Sequence, residues 1–137
     1  MKMMLAVVAS LLLILPFQAE AESCIDKDVE VWVASGHGLT GDGLLNPDPY
    51  VVVKIGPVKK QTKVIYSNDN PTWWEKLTFP EASSDTMTVE VWDKDSITSD
   101  DKEGTCTEQL VASKSFQSVE CKMNSGRSYV KLFYKCT

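Results

Sequence analysis

One histidine, His37, is all that the 137 residues provide. Gly36 and Gly38 flank it, and no nucleophile motif accompanies it. A hydrolase triad is therefore excluded, and His37 reads as a loop residue. The four cysteines never occur as Cys-x-x-Cys, so with a single histidine a zinc site lacks its ligands. Long apolar runs are missing too. The longest, Leu5 to Leu15 with one Ser, falls well short of the ~20 residues that cross a bilayer. No helix-length amphipathic stretch appears. No glycosylation sequon is usable, because Asn70 is followed by Pro71. Positive charge is in deficit, with 14 basic against 19 acidic side chains and a net charge of -5, which disfavours a nucleic-acid partner. The length excludes barrels of ~250 residues and leaves room for one domain.

What is present describes an ordered, exported domain. Hydrophobic residues make up 43% of the chain and include four tryptophans, too many for a disordered segment. Residues 1–21 carry the marks of a secretory signal: Lys2, the apolar run, Pro16, and Ala19-Glu20-Ala21 as a small-x-small cleavage site. The expected organisation is a signal peptide over 1–21 and a single domain over 22–137, secreted and extracellular. Removing Lys2 and Glu20 leaves the net charge at -5. Cys24, Cys106, Cys121 and Cys136 all remain, an even number that implies two disulfides, with three pairings open.

The dominant period is two. Val29, Val31 and Val33; Val51, Val53 and Ile55; Met87, Val89 and Val91; and Val130, Leu132 and Tyr134 each alternate along a strand. Further strands are expected over Lys59–Tyr66, Trp73–Phe79, Thr105–Ala112 and Phe116–Lys122, separated by turn signals at Gly56-Pro57, Asn70-Pro71, Phe79-Pro80 and Asn124-Ser125-Gly126. Eight short strands make an all-β antiparallel sandwich. Trp32, Trp73, Trp74 and Trp92 read as packing residues, and Lys54, Lys59, Lys60 and Lys63 as a solvated basic face. Successive strands alternate direction, so the loops Gly36–Asp48, Ser67–Thr72 and Asp93–Glu103 share one end.

Those loops hold the chemistry. The first carries Asp42 and Asp48; the third carries Asp93, Asp95, Asp100, Asp101 and Glu103 against Lys94 and Lys102. Two like charges ~4 Å apart cost about 4 kcal/mol at an effective dielectric near 20, a cost that a divalent cation removes. Calcium suits flexible loops rich in oxygen donors. Without Asp42, Asp48, Asp93, Asp95 and Asp101 the net charge would be zero. An EF-hand starting at Asp93 fails, since Ile97, Thr98 and Gly104 stand where acidic or amide, Gly and Glu residues belong. Asp93-Lys94-Asp95 as an aspartyl phosphatase motif would need a larger α/β domain.

Gly38-Leu39-Thr40-Gly41-Asp42, Pro47-Asp48-Pro49-Tyr50-Val51, Asn70-Pro71-Thr72-Trp73 and Val91-Trp92-Asp93-Lys94-Asp95 resemble a C2 domain over about Asp28 to Tyr134. Within that family, Gly36-His37, Trp92-Asp93, Asp100-Asp101 and Gly104-Thr105-Cys106 are most similar to the C-terminal C2 domain of perforin. Perforin's pore-forming part has no counterpart in these residues, so pore formation by this chain alone is not expected. The resemblance implies calcium-dependent binding to a phospholipid membrane surface, with no enzymatic activity and a monomeric state. It implies Asp42, Asp48, Asp93, Asp95 and Asp101 as side-chain ligands, helped by the carbonyls of Gly41 and Lys94. Two Ca²⁺ ions would bring the net charge from -5 to -1. Leu44, Leu45 and Ile97 would be the membrane-contacting tips, in place of the aromatic tips usual in perforin-like domains. The alternatives are a calcium tip that reads microbial glycans or a protein receptor, and an ion that only pins the loops. The type II topology of the family places the last strand beside the first. That arrangement implies Cys24–Cys136, with Cys106–Cys121 as the second disulfide.

Overall fold

The computed structural model describes residues 22–41, 45–124 and 126–137. The region expected to be a signal peptide, together with Asp42 and Leu44, lies outside them. Eight strands follow in order: β1 Val29–His37, β2 Pro49–Ile55, β3 Val58–Gln61, β4 Thr72–Phe79, β5 Thr86–Asp93, β6 Asp101–Gln109, β7 Ser113–Lys122 and β8 Tyr129–Cys136. They form two antiparallel four-stranded sheets, ordered β4-β1-β8-β7 and β3-β2-β5-β6. β8 lies directly beside β1, which is the type II arrangement.

The period-two pattern explains the core. Val29, Val31 and Val33 of β1 face Val51, Val53 and Ile55 of β2 and Met87, Val89 and Val91 of β5, joined by Leu132 and Tyr134 of β8 and Phe79 of β4, all essentially buried. In β1 the register shifts between Val33 and Ser35 against both neighbouring strands. Against β8, Ala34 is an extra residue of β1; against β4 the extra residue lies in β4, where Trp73 and Trp74 oppose Ala34.

Both disulfides have the implied pairing. Cys24 and Cys136 sit with Cα atoms 5.9 Å apart, closing the termini, and Cys106 and Cys121 at 5.6 Å. The second bond joins β6 to β7, the edge strands of opposite sheets, and so staples the open side of the sandwich.

Three sequence expectations need correction. The third strand stops at Gln61 instead of running to Tyr66. The Thr62 hydroxyl accepts the Val51 N–H at 3.0 Å, and Trp73 Nε1 donates to the Lys63 carbonyl at 3.0 Å, so side chains take over from the ladder. β6 starts at Asp101, four residues earlier than expected, and the third loop shrinks to residues 94–100. His37 is the last residue of β1, not a loop residue: its Nε2 lies 2.8 Å from Ser35 Oγ and its ring stacks on Tyr129 at 4.6 Å.

Candidate cation site at the loop tip

The loops β1–β2, β3–β4 and β5–β6 meet at one end of the sandwich and are sewn together through their backbones. Gly38 N–H donates to Asn70 Oδ1 at 2.8 Å, and Leu39 N–H to the Asp69 carbonyl at 2.8 Å. This gives the Asn-Pro-x-Trp segment a local purpose: Asn70 orients the first loop, while Pro71 packs beside Gly36. Gly41 cannot carry a side chain, because a Cβ there would stand 2.3 Å from the Leu45 carbonyl oxygen and 2.7 Å from the Pro47 nitrogen. The first loop thus doubles back on itself just before Asp48.

Asp48 is the hub of the three loops. Its N–H donates to Asp93 Oδ1 at 2.8 Å, its carbonyl accepts the Lys94 N–H at 2.9 Å, and its Oδ1 accepts the Ser67 N–H at 2.7 Å. Asp93, the last residue of β5, is 6% exposed. Burial pushes its carboxyl pKa up. The Asp48 N–H works against this, while the charges of Asp48, Asp101 and Asp95 add to it. Asp101 lies across the ladder from Asp93. Four of the five carboxylates singled out from sequence therefore share one end and repel one another there. The fifth, Asp42, lies outside the described residues.

Asp95 is held differently. Its carboxylate accepts the Thr98 hydroxyl at 2.7 Å and the N–H groups of Ile97 and Thr98, and these bonds hold its pKa down. A cleft of about 130 Å³ lies between Leu45, Asn46, Asp48, Asp93, Lys94, Asp95 and Ser96. Among the described residues no three His, Cys, Asp or Glu side chains converge into a ready-made cage. Asp48 Oδ1, Asp93 Oδ1 and both Asp95 oxygens each accept a protein donor and keep a second lone pair for an ion. The chemistry of the donor set still fits a hard cation, since every candidate side chain is a carboxylate and like charges crowd a buried one. Leu45 and Ile97 are 74% and 91% exposed at the same tip.

One network escaped sequence reasoning. Tyr50, on β2, donates its hydroxyl to Asp100 Oδ2 at 2.5 Å, while Asp100 Oδ1 accepts the Asp95 N–H at 2.9 Å. Lys94 Nζ lies 3.8 Å from Asp100 Oδ2. The Asp95 N–H, then the Tyr50 hydroxyl and the Lys94 charge, hold the Asp100 pKa down. Burial and the Asp100 carboxylate push the Tyr50 phenol up to about 12. Asp100 is thus the brace of the third loop, and Asp101 is left as the residue that faces Asp93. The signal was present in Asp48-Pro49-Tyr50, where Tyr50 follows Asp48 by two and shares its face of the strand.

The profile of the C2 domain family matches residues 27–125. The chain belongs to the C2 domain family. This C2 domain is 32% identical to human perforin-1 over 111 residues, covering 79% of the chain and 20% of perforin-1. It therefore spans about a fifth of that relative's length. A solved structure of a C2 domain superposes with a TM-score of 0.72 at 25% identity, covering 81% of this chain and 98% of the other. The calcium-bound tandem C2 domains of extended synaptotagmin 2 share the fold, with a TM-score of 0.70 at 19% identity over 82% of this chain and 46% of theirs.

Proposed function

We propose that this C2 domain is a secreted, non-enzymatic monomer that binds phospholipid membrane surfaces in the presence of calcium. The observation that carries the reading is Asp93, a carboxylate 6% exposed whose nearest charges are three further aspartates. Such an arrangement favours a bound divalent cation over an empty site. Asp42, Asp48, Asp93, Asp95 and Asp101 would hold the ion, with the carbonyls of Gly41 and Lys94. Bound calcium supplies the positive charge that reverses the sign of the tip and the open coordination positions that lipid phosphate oxygens can fill. The protein's own residues do the positioning. Asp48 ties the first loop to the second and third, and Tyr50 and Asp100 brace the segment that carries Asp95. Leu45 and Ile97 offer apolar tips, and burying each contributes ~1.5–3 kcal/mol. The signal-like pattern of residues 1–21 and the two disulfides support secretion. Extracellular modules bind calcium with Kd values of about 10⁻⁴ to 10⁻³ M, so lipid exposure rather than a calcium pulse would gate binding.

Vesicle sedimentation tests the reading. The protein should pellet with phosphatidylserine vesicles in calcium and stay in the supernatant in EDTA. Pelleting in EDTA would remove the calcium requirement. A melting temperature raised by calcium without any pelleting would leave the ion a purely structural role.

A further inference from the structure

The outer face of the β4-β1-β8-β7 sheet carries one aromatic side chain from each of its four strands. These are Trp74 of β4, Trp32 of β1, Phe133 of β8 and Phe116 of β7. With Glu30 they line an open cleft of about 510 Å³. Trp74 is 57% exposed and Phe116 43%. The Trp74 and Phe133 rings lie nearly parallel, 7° apart, with centroids separated by 6.0 Å.

The backbone of this face is strained at one residue. Trp74 has φ +44, a left-handed value that costs a bulky residue of order 1–3 kcal/mol. Its ladder explains why: Glu75 pairs with Val33 and Thr72 with Ser35, so Trp73 and Trp74 together oppose Ala34. Alternation keeps Trp73 in the core with Leu77 and Phe79 and sets Trp74 on the outer face with Lys76 and Thr78, over the Phe133 ring. A bulky residue held at a strained φ with its indole more than half exposed points to recognition.

Three ammonium groups sit over these rings: Lys76 Nζ at 5.9 Å from Trp32, Lys131 at 5.5 Å from Phe133, and Lys135 at 4.8 Å from Phe116. Among the described residues none of the three is in an ion pair with a carboxylate. The nearby acids are Glu30, whose Oε2 accepts Trp32 Nε1 at 2.7 Å, and Glu120, across the ladder from Lys131. The face is therefore cationic and aromatic on a protein whose net charge is -5.

We propose that this face binds an anionic glycan, a chain of pyranose rings bearing sulfate or carboxylate groups, and does so without calcium. Pyranose rings present flat, slightly positive C–H faces that stack on the negative face of an aromatic ring. The lysines meet the anionic substituents, and the second oxygen of Glu30 accepts sugar hydroxyls. An extended peptide would seek unpaired backbone groups at a sheet edge, and a sheet face offers only side chains. A fatty acyl chain would leave three ammonium groups desolvated against hydrocarbon.

The probe is a heparin decasaccharide titrated in EDTA at low salt into protein expressed from the full chain, read by tryptophan fluorescence and the indole N–H resonances. EDTA removes the proposed calcium tip from the measurement, so the two readings fail separately. Saturable binding is expected. Trp74→Ala and Phe116→Ala should each weaken it about tenfold. Lys131→Gln with Lys135→Gln should weaken it and flatten its salt dependence. Lys59→Gln with Lys60→Gln, on the other sheet, should leave it unchanged. The proposal is overturned by no binding, by equal binding of the desulfated decasaccharide, or by loss only in the Lys59/Lys60 variant. Capture of the Trp74 indole by phosphatidylserine vesicles in EDTA would make the occupant a lipid instead.

Discussion

Replacing Asp93 by Asn separates a carboxylate kept for structure from one kept for an ion. The amide has the same shape, and its Oδ1 can still accept the Asp48 N–H now donated at 2.8 Å. The hydrogen bond to a neutral acceptor is weaker by about 1 kcal/mol. Against this, the variant loses the repulsion from Asp48, Asp101 and Asp95 and the cost of burying a charge. One like charge ~7 Å away costs about 2 kcal/mol at an effective dielectric of 20. The net expectation in EDTA at pH 7 is a gain of about 1 kcal/mol, or ~4 °C in Tm. The folded pKa of Asp93 is raised, so the native state holds its proton to higher pH than the unfolded chain does. Its contribution to stability is present below the unfolded carboxyl pKa and is lost as pH rises through the folded value. The advantage of the variant should therefore shrink toward pH 3, where the wild-type carboxyl is protonated too. Calcium reverses the order: at a concentration 100 times Kd it stabilises the wild type by ~2.7 kcal/mol, and the variant by far less. Calorimetric melts at pH 7 and pH 3.5, in EDTA and in calcium, give all four numbers. A variant less stable than wild type in EDTA at pH 7, or an order unchanged by calcium, would refute the reasoning.

Asp95→Asn should abolish the calcium heat in titration calorimetry while moving stability by no more than ~0.5 kcal/mol, since the amide oxygen still accepts the Ile97 and Thr98 N–H groups and the Thr98 hydroxyl can instead accept from the amide N–H. Tyr50→Phe frees Asp100 from its hydroxyl donor, so calcium affinity should fall with little change in Tm. In the wild type the raised phenol pKa of about 12 makes stability drop as pH climbs from ~10 to 12, and alkaline melts of Tyr50→Phe should lose that component. Replacing Cys106 and Cys121 by Ser opens a loop of 15 residues, costing ~3 kcal/mol in denaturant titrations, against ~5 kcal/mol for the Cys24–Cys136 pair. Trp73→Ala should cost ~3–5 kcal/mol as a core truncation. Trp92→Ala should cost only ~1–2 kcal/mol, because that ring lies half-buried on the outer face under Lys102.

The four tryptophans mark the limit of what the chain discloses unfolded. Period two sufficed for the strands because alternation is a property of each strand alone, and the alternating loop ends followed from strand direction. The tip aspartates were legible for the same reason: Asp48, Asp93, Asp95 and Asp101 sit at strand ends that antiparallel pairing must bring together. The same alternation gave the directions of the tryptophans, and the bulge that sets Trp73 and Trp74 opposite Ala34 was not legible, because it depends on a partner strand some 40 residues away. Only Trp73 is a core residue. Trp32 and Trp74 face outward on one sheet and Trp92 on the other, so reading all four as packing was wrong. Alternation alone puts Trp73 inside with Leu77 and Phe79 and Trp74 outside with Lys76 and Thr78, just as Trp32 alternates with Val31 and Val33. Tyr50 and Asp100 escaped for a related reason, since a hydroxyl and a carboxylate 50 residues apart meet only once β2 and the β5–β6 loop are in register. Motif spacing along the chain finds groups that the topology must gather. It does not reveal what each carboxylate of that gathering does, and at this tip Asp100 braces the loop through Tyr50 and the Asp95 N–H while Asp101 stands across the ladder from Asp93.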